Sequence, residues 1–321
     1  MAASNRIRNV AIVGAGGHVG TFISEALVKT GKHIVTGITR TGSQSRLPAG
    51  VISKTVDYNK PETIVDALRG QDLLIITLAV QVPKETCLQL INAAGDAGVK
   101  WILPNEWGLD NTHKELVKDV PVFEAKDVNR KAIKDLGKSS YIAVATGVWY
   151  EWSLAIPSAF AFDIVNRSVT LIDEGEAKIS TSTWPQVGRT VAALLSLPIK
   201  PEGSNPEACL EHFKNTAICA DSFYINQKDM LESVLRVTGT KREDWTITKE
   251  VSQERYATAV REMEGGDWNG FAKMMYTRIF YPDDAGVFDK DTVNSLLGLP
   301  KEDLDEATKA GIERSKTFTY P

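Results

Sequence analysis

The sequence predicts an α/β fold, namely a doubly wound parallel sheet followed by a smaller C-terminal α+β domain. Strand-like apolar runs and helical stretches alternate six times between Val10 and Ala145, and this alternation is typical of parallel strands connected by helices. The first apolar run leads directly into a glycine-rich turn and an amphipathic helical stretch. Beyond residue 168 the pattern is mixed, with short strand-like runs among helices, which indicates a unit of a different kind.

The glycine-rich turn follows the first predicted strand, Val10–Val13, and precedes a helix that we expect from about residue 18 to residue 30. Glycines let a backbone approach a ligand closely and adopt positive φ angles. The start of the helix attracts an anion through its free N–H groups and its dipole. Strand, turn and helix together predict the Rossmann-type pyrophosphate site of a dinucleotide, the alternative being a plain glycine-rich connection. The residues assigned to this site are Gly14, Gly16, Gly17, His18, Val19 and Gly20.

The end of the second predicted strand, Ile34–Ile38, indicates which dinucleotide is bound. In a βαβ unit this position faces the adenosine ribose, where an acidic side chain would favour a free 2′-hydroxyl. The chain has Thr39 and Arg40 there instead, with Ser43 close behind, and an arginine fork matches the geometry of a 2′-phosphate. We therefore expect NADP(H) as the cofactor. The alternative is that Arg40 is a solvated loop charge.

Four further strands of the sheet are predicted at Val51–Val56, Leu73–Leu78, Trp101–Leu103 and Tyr141–Ala145. The second of these runs is continuously apolar, as a strand covered on both faces requires. Ligands of open α/β sheets bind outside the carboxyl ends of the strands, so Leu78, Ala79 and Gln81 are expected beside the cofactor. The polar stretch 109–121 is expected to be a loop that closes over a ligand.

The predicted domain organisation places the NADP-binding Rossmann domain in residues 1–150, with a later return to the sheet around 177–196, and the substrate-binding domain in residues 151–321. An aromatic-rich segment containing Trp149, Tyr150 and Trp152 follows the sixth strand. Its position suits the wall of an apolar substrate pocket. Packing in a core explains each of these aromatic residues equally well.

The composition excludes several classes of function. With 41 acidic and 37 basic residues the net charge is −4, which gives no electrostatic basis for binding nucleic acid or an anionic membrane. The sequence has no transmembrane-length apolar run, and residues 1–9 lack the apolar stretch of a signal peptide. Three cysteines and four histidines are too scattered for a disulfide framework or a metal site. We expect a cytoplasmic protein with a small-molecule ligand, and its oligomeric state stays open.

The strongest acid/base candidate in the sequence is Lys126, within a helix predicted over about 122–136. It lies beside the apolar stripe of that helix, and partial burial lowers the pKa of a lysine toward neutrality. The alternative is a solvated lysine in a lysine-rich helix. The stretch from Tyr224 to Lys228 fits Y-x-x-x-K, the acid/base pair of short-chain dehydrogenases. We set it aside because it lies well beyond the sixth strand, at the entry to a helix predicted to be exposed.

These segments resemble the NmrA-like, isoflavone-reductase-like branch of the atypical short-chain dehydrogenases, and its fungal members in particular. The glycine turn matches the family's G-x-x-G-x-x-G form. Thr39-Arg40 matches its NADP-selecting basic position. The stretch Val122–Ile133 is similar to the segment that holds the family's catalytic lysine, which falls on Lys126.

The resemblance extends over about residues 8–155 and includes two more motifs. Trp101–Gly108 is similar to the family's F-x-P-S-E-F-G segment, with Asn105 in place of serine and Trp107 in place of phenylalanine. The replacement by Asn105 keeps hydrogen-bonding capacity and puts a serine-specific role in doubt. Gly147-Val148-Trp149 resembles the family's T-G-x-F stretch at the substrate pocket.

The resemblance implies an NADPH-dependent reductase of a small aromatic or conjugated carbonyl compound, working in secondary metabolism. Lys126 would assist proton transfer, anchor the nicotinamide ribose, or both, and Asn105 would adjoin the cofactor. The substrate is expected against Trp107, Gly147, Val148, Trp149, Tyr150 and Trp152.

Two alternatives remain open at this point. Some members of the family bind NAD(P) as redox-sensing regulators without turnover, and such a protein needs the glycine turn but no catalytic lysine. Other members would use the same cofactor and lysine in a non-redox isomerisation or cyclisation. The retained Lys126 and the aromatic segment favour an enzyme over a regulator.

Overall fold

Parallel strands and the helices between them make up the larger part of the computed structural model, which describes residues 4–111, 113–288 and 291–317. In these ranges the strands are, in chain order, β1 Asn9–Val13, β2 Ile34–Arg40, β3 Ile52–Val56, β4 Leu73–Ile76, β5 Trp101–Leu103, β6 Ser140–Ala145, β7 Val148–Trp149, β8 Phe162–Asp163, β9 Ser168–Ile172, β10 Ile179–Ser182, β11 Thr216–Cys219, β12 Phe223–Ile225 and β13 Thr246–Glu250. The α-helices in the same ranges are α1 His18–Lys29, α2 Pro61–Leu68, α3 Lys84–Ala97, α4 Lys114–Asp119, α5 Glu124–Asp135, α6 Tyr150–Leu154, α7 Trp184–Ser196, α8 Gln227–Thr238, α9 Ser252–Glu264, α10 Trp268–Ile279 and α11 Leu304–Ser315.

The main sheet has seven parallel strands in the order β11-β6-β5-β4-β1-β2-β3. Its strand order reverses at β1, where Val13 pairs with Ile38 on one side and with Ile76 on the other. Connections diverge at such a reversal and leave a crevice at the carboxyl ends of the strands, where ligands of this architecture bind. The predicted doubly wound sheet is confirmed, and its first six strands are the six that the sequence pattern predicts.

Helices cover both faces of this sheet. The helices α1 and α7 pack together on one face, where a Cβ on Gly188 would lie 2.4 Å from the carbonyl oxygen of Phe22. The helices α2, α3 and α5 contribute to the core on the opposite face. Because α1 follows β1 and α5 follows β5, both helices begin at the carboxyl edge of the sheet. Residues at the starts of α1 and α5 therefore approach the same crevice from opposite faces.

The predicted return to the sheet around 177–196 differs from the structure. The strand in that stretch, β10, belongs to a separate sheet with β7 and β12, and only the following helix, α7, joins the main sheet as part of its cover. The chain re-enters the main sheet later, through β11, which pairs in parallel with β6 from Thr216↔Ile142 to Cys219↔Ala145. Short apolar runs such as these have the same local pattern, and only long-range packing decides which sheet each of them joins.

Most of the chain after β6, apart from α7 and β11, forms two small sheets, ordered β12-β10-β7 and β13-β9-β8, and packs around a second apolar core that also includes Leu109, Leu116, Val120 and Phe123. Phe160 lies at the centre of this core, with the rings of Tyr150, Tyr276 and Phe280 between 5.7 and 6.1 Å from its own. None of the helices in the described part of the chain has the length and apolar character needed to span a bilayer.

Candidate functional site

The glycine turn between β1 and α1 is shaped by two close backbone approaches. Gly14 has a φ of +84°, and a Cβ on it would lie 2.0 Å from the carbonyl oxygen of Thr77. A Cβ on Gly20 would lie 2.0 Å from the carbonyl oxygen of Gly14. Only glycine fits either position, because the backbone of the turn, the end of β4 and the start of α1 are in contact.

The first turn of α1 is available to an anion. Gly17 is the N-cap residue of α1, and no side chain caps the helix there. His18 follows at the surface, while Val19 and Gly20 are buried. The N–H groups of a first helical turn have no intrahelical partner, and the helix dipole adds positive potential at this end. The uncapped start of α1 therefore lies at the crevice, at the position where the sequence predicts a pyrophosphate site.

The loop after β2 folds over this turn. A Cβ on Gly16 would lie 2.4 Å from Ser45 Oγ and 2.5 Å from the carbonyl oxygen of Arg46. This contact brings the predicted ribose-side residues close to the glycines. The side chain of Arg40 is exposed at the end of β2, and among the described residues no carboxylate pairs with it. Its guanidinium is therefore available to a ligand beside the glycine turn.

Two of the smaller predicted donors near Arg40 are used internally. Thr39 Oγ1 donates to the carbonyl oxygen of Lys54, 3.4 Å away on β3. Ser43 Oγ accepts from the backbone N–H of Ser45 at 3.2 Å, and the backbone N–H of Ser43 donates to the carbonyl oxygen of Arg40. Both residues shape the loop. Of these three predicted residues, Arg40 is the exposed one, while Thr39 and Ser43 are half-buried.

Asn105 supports the segment that follows β4. Its Oδ1 accepts from the backbone N–H of Leu78 at 3.0 Å, and its Nδ2 donates to the carbonyl oxygen of the same residue at 2.9 Å. A neighbouring strand would make the same two bonds to the backbone of Leu78. They fix the start of the exposed stretch that follows, which contains Ala79 and Gln81. A serine would have to make both bonds through a single oxygen atom, whereas Asn105 has a separate acceptor and donor. Asn105 therefore acts on the crevice through the backbone of Leu78, to which it is hydrogen-bonded.

Lys126 lies in the first turn of α5 and is 7% exposed. Its Nζ donates to the carbonyl oxygen of Leu109 and lies 5.0 Å from the centre of the Phe123 ring. Burial lowers the pKa of Lys126 from its ordinary value of 10.5 to about 8, with Glu106 partly opposing the shift. A lysine with this pKa exchanges its proton near neutral pH, which the proposed acid/base role requires.

A buried ion pair adjoins Lys126, and the sequence analysis did not assign it to the site. Arg130 Nε lies 3.0 Å from both carboxylate oxygens of Glu106, and its Nη2 lies 2.5 Å from Oε2. Asp110 lies 3.7 Å from the same guanidinium. Glu106 is 2% exposed, and burial raises the pKa of its carboxyl group while Arg130 opposes the rise. The i, i+4 spacing of Lys126 and Arg130 was the available signal, because it places both on one face of α5.

Two of the predicted substrate-wall aromatics lie in cores. Trp107 is buried, and its indole N–H donates at 2.7 Å to the carbonyl oxygen of Ile76, the last residue of β4. Tyr150 is fully buried, and its hydroxyl lies 2.7 Å from Thr308 Oγ1. Burial also raises the pKa of Tyr150. Both side chains are committed to packing and hydrogen bonds within the protein, so their effect on a ligand is indirect.

The connection after β6 is held by the small sheet β12-β10-β7. Gly147 has a φ of +64°, and a Cβ on it would lie 2.1 Å from the carbonyl oxygen of Ser180. Val148 pairs with Thr181, whose Oγ1 donates to the carbonyl oxygen of Val148 at 2.6 Å. This backbone contact turns the following residues toward α1.

The other two predicted aromatics, Trp149 and Trp152, meet His18 and Trp184, and we call these four residues the aromatic cluster. The ring of Trp184 lies 5.3 Å from His18 in a stacked arrangement, 5.9 Å from Trp152 and 6.0 Å from Trp149. Trp152 lies 4.9 Å from His18. The cluster adjoins the glycine turn through His18. Trp184 comes from the start of α7, and no local pattern in the sequence indicates that it belongs to the site.

The polar stretch 109–121 is more ordered than the predicted loop. Its central part forms α4, and Asp119 at the end of α4 accepts from Arg278 Nε at 2.6 Å. The hydroxyl of Tyr256 donates to the carbonyl oxygen of Asp119 at 2.7 Å. Arg278 also pairs with Asp283. These contacts fasten the stretch to α9 and α10, beside the crevice that contains Lys126.

The Y-x-x-x-K stretch lies away from this site. Tyr224 is 51% exposed, with Lys178 Nζ 4.8 Å from the centre of its ring. Lys228 pairs with Glu176 at 2.7 Å on the surface. Asn226 between them forms a capping box for α8 together with Asp229. The stretch therefore forms the capped start of α8.

Comparisons with known proteins agree with this fold. The NmrA-like family matches residues 7–157. Oxidoreductase aprR of Aspergillus flavus is 28% identical over 306 residues, which cover 92% of this chain and 96% of the relative. A solved isoflavone reductase has a TM-score of 0.72 at 19% identity, over 94% of this chain and 98% of its own. An NADPH-dependent quinone oxidoreductase from Escherichia coli, complexed with NADPH, has a TM-score of 0.67 at 20% identity over 94% and 98% of the two chains.

Proposed function

We propose that the chain is a member of the NmrA-like, isoflavone-reductase-like family and an NADPH-dependent reductase of small aromatic or conjugated carbonyl compounds, as its family match and its relatives support. The observation that carries the proposal is the carboxyl edge of the main sheet. An uncapped helix start, a free guanidinium at Arg40 and a buried lysine at Lys126 lie along this edge. These groups suit, in this order, a pyrophosphate, a 2′-phosphate and the reacting end of a dinucleotide.

The residues present fit NADP(H). Gly17 leaves the start of α1 open to the pyrophosphate, Gly16 lets the loop after β2 close against the turn, and Arg40 holds the 2′-phosphate. The exposed stretch with Ala79 and Gln81 lies beside the nicotinamide end, supported by Asn105. When bound, NADPH supplies a hydride to an electron-poor carbon of the substrate.

Lys126 supplies the proton that this reduction requires. Its ammonium group stabilises negative charge on the substrate oxygen and gives a proton to it, and its Nζ is also placed to anchor a ribose hydroxyl. The carbonyl oxygen of Leu109 orients the ammonium group. Burial of the site strengthens each of these interactions, because little water competes for the polar groups.

The substrate lies between Lys126 and the aromatic cluster, which flank the crevice from opposite faces of the sheet. Trp149 and Trp152 offer partly buried indole surfaces for a flat, apolar compound. The described residues after 151, apart from α7 and β11, complete the pocket as the substrate-binding domain. Tyr150 and Trp107 contribute by fixing the backbone on either side.

Replacing Arg40 by aspartate should shift cofactor preference from NADPH toward NADH. The substitution removes charge-assisted hydrogen bonds of about 1.5–3 kcal/mol and adds repulsion of the 2′-phosphate. We expect the ratio of kcat/KM values for the two cofactors to fall by roughly 10- to 100-fold. Arg69→Ala, which removes an exposed arginine at the end of α2, is the control and should leave the ratio unchanged. An unchanged ratio in the Arg40→Asp variant would discard the assignment of Arg40.

The turnover rate should fall as the pH rises above about 8. Lys126 gives up a proton in the reaction, so only its ammonium form is active, and its pKa is about 8. The protonated fraction declines by about tenfold for each pH unit above that value. The measurement is kcat at saturating NADPH and substrate from about pH 6 to about pH 10. Lys131→Ala, an exposed lysine on the same helix, should show the same profile, whereas a flat wild-type profile would contradict the acid role.

The proposed function is tested by titrating the protein with NADPH and then screening enones, quinones and aldehydes for NADPH oxidation. Tight binding with turnover of any of these compounds supports the reductase. Tight binding without turnover would favour a redox-sensing regulator or a non-redox enzyme. Absence of NADPH binding would remove the basis of the proposal.

A further inference from the structure

The buried ammonium group of Lys126 is bonded to a backbone carbonyl oxygen, that of Leu109, although two buried carboxylates lie close to it in the chain. Glu106 and Asp110 belong to the same short stretch as Leu109, residues 106–111, which we call the acidic segment. Their side chains are 1% and 4% exposed. Buried charged groups are ordinarily paired with an opposite charge. Within the described part of the chain no carboxylate forms an ion pair with Lys126, and this arrangement requires an explanation.

Arg130 provides the explanation. It follows Lys126 by one turn of α5, so both side chains extend from the same face of the helix. Arg130 Nε lies 3.0 Å from both carboxylate oxygens of Glu106, and its Nη2 lies 2.5 Å from Oε2. The same Nη2 lies 3.7 Å from Asp110 Oδ1. Both carboxylates of the acidic segment therefore face the guanidinium fork, and the carbonyl group of Leu109 is left to Lys126.

Further bonds hold the acidic segment in place. Asn111 Nδ2 donates to Asp127 Oδ1 at 2.7 Å, which adds a third residue of α5 to the contact. The backbone N–H of Thr146, just after β6, donates to the carbonyl oxygen of Gly108 at 2.9 Å. The acidic segment is thus fastened both to α5 and to the end of β6. The position of the Leu109 carbonyl group is fixed by these contacts, and it in turn fixes the ammonium group of Lys126.

The charged and titratable groups that act on Lys126 come from three parts of the chain. They are Glu106 and Asp110 in the acidic segment, Arg130 on α5 and Cys219 at the end of β11. Burial lowers the pKa of Lys126 to about 8, Arg130 adds to the shift, and the other three groups oppose it. A carboxylate in direct contact would bind the proton of the ammonium group more strongly. A carbonyl oxygen orients the ammonium group and carries no net charge.

We infer that Arg130 is a positioning residue for proton transfer, because it holds the carboxylate of Glu106 away from Lys126 and leaves the ammonium group on a neutral oxygen. This inference rests on the proposed function, in which Lys126 gives a proton to the substrate. A direct pair of Lys126 with Glu106 would keep that proton on the protein. Arg130 and Glu106 therefore act on the reaction through Lys126.

The experiment measures the protonation of Lys126 in the full chain by NMR, without cofactor or substrate. Lysine residues are labelled with ¹³C at Cε, and the Lys126 resonance is identified by its absence in Lys126→Met. In Arg130→Met the titration midpoint should rise by at least about one pH unit, because the carboxylate of Glu106 then faces the ammonium group. In Glu106→Gln the midpoint should fall by at least about one unit, because Arg130 keeps its charge while the carboxylate is lost. The double variant should return close to the wild-type midpoint.

Opposite shifts distinguish the positioning role from a role in packing. If the ion pair only packed the acidic segment, both single variants would admit water and move the midpoint upward, toward the ordinary value of 10.5. Shifts in the same direction, or two unchanged midpoints, would overturn the inference. Glu124→Gln removes an exposed charge from the first turn of α5 and is the control, for which we expect no shift. Where Arg130→Met does not fold, Arg130→Gln replaces it with the same expected rise, since its amide donates to Glu106 without a charge.

The same variants separate this inference from the proposed function. The pH at which kcat declines should move with the NMR midpoint, upward in Arg130→Met and downward in Glu106→Gln. Opposite NMR shifts without NADPH oxidation by any enone, quinone or aldehyde would support the arrangement around Lys126 and reject the reductase. Turnover with the same pH profile in all variants would support the reductase and overturn the inference.

Discussion

Replacing Lys126 by methionine is expected to lower kcat for NADPH oxidation by about 10²- to 10⁴-fold, the usual contribution of a positioned proton donor. Methionine fills the space of the lysine stem beside Phe123 and removes only the ammonium group. The dissociation constant of NADPH should remain within a few fold, because the glycine turn and Arg40 provide most of its contacts. The measurements are single-turnover rates with the best enone or quinone and a fluorescence titration with NADPH.

The matched control for this variant is Lys131→Met, on the same helix. Lys131 is exposed and pairs with Asp135, so its loss should leave kcat unchanged. Turnover retained by the Lys126→Met variant would show that another group supplies the proton. A large loss of NADPH affinity with little loss of kcat would show that Lys126 anchors the ribose only.

The same variant should be at least as stable as the wild type at neutral pH. The unfolded chain binds the proton of Lys126 with the ordinary pKa of 10.5, whereas the folded chain binds it with a pKa of about 8. Below pH 8 the buried charge therefore disfavours folding by roughly 3 kcal/mol, and this penalty fades as the pH rises toward 10.5. Urea denaturation at about pH 7 would show this effect, and lower stability of the variant would contradict it.

Replacing Arg130 by methionine should lower the free energy of unfolding by about 3–5 kcal/mol. Glu106 is 2% exposed, and its carboxylate depends on the guanidinium fork for three hydrogen bonds. Removal of the arginine leaves a buried carboxylate, which must remain without its partner or take up a proton. Urea denaturation at neutral pH measures the loss.

A second substitution tests whether the cause is the isolated charge. In the double variant Glu106→Gln with Arg130→Met, no carboxylate remains uncompensated at this position, so most of the lost stability should return. Arg69→Met provides the control, since its exposed pair with Asp66 should contribute less than about 1 kcal/mol. Equal stabilities of the single and double variants would mean that Arg130 acts by packing alone.

The main sheet was predictable from the sequence because its strands are defined by local patterns. Apart from β3, whose central residues Ser53, Lys54 and Thr55 are polar, the first six strands are short runs rich in apolar residues, and they are bounded by turn signals or helical periods. The glycine turn was predictable for a similar reason, since Gly14 and Gly20 are required by contacts within one strand-turn-helix unit. The spacing of residues within such a unit is enough to predict it.

The missed features depend on residues that are distant in the chain. The strand β11 pairs with β6 across more than seventy residues, as in the pair Thr216↔Ile142. Trp184 reaches the glycine turn from α7, and Glu106 meets Arg130 only because the segment after β5 folds back onto α5. Neither the composition nor the periodicity of the sequence indicates these contacts.

Aromatic residues were the least predictable part of the candidate site. Three large aromatic residues lie near the carboxyl ends of strands. Trp107 and Tyr150 pack in cores, whereas Trp149 belongs to the aromatic cluster beside the glycine turn. The apolar character of a ring is the same in both settings. Which setting applies depends on the partner of its polar atom, and that partner lies elsewhere in the sequence.

The position of β11 at the end of the main sheet has a consequence for synthesis of the chain. A ribosome releases β1 to β6 well before it releases Thr216–Cys219, so the edge of β6 remains open while some seventy residues are added. An open strand edge is a template for pairing with another chain. The nascent chain therefore exposes that edge until β11 is synthesised. A fragment truncated at residue 150 would keep the edge open permanently, and it should aggregate even though it contains the whole glycine turn and Lys126.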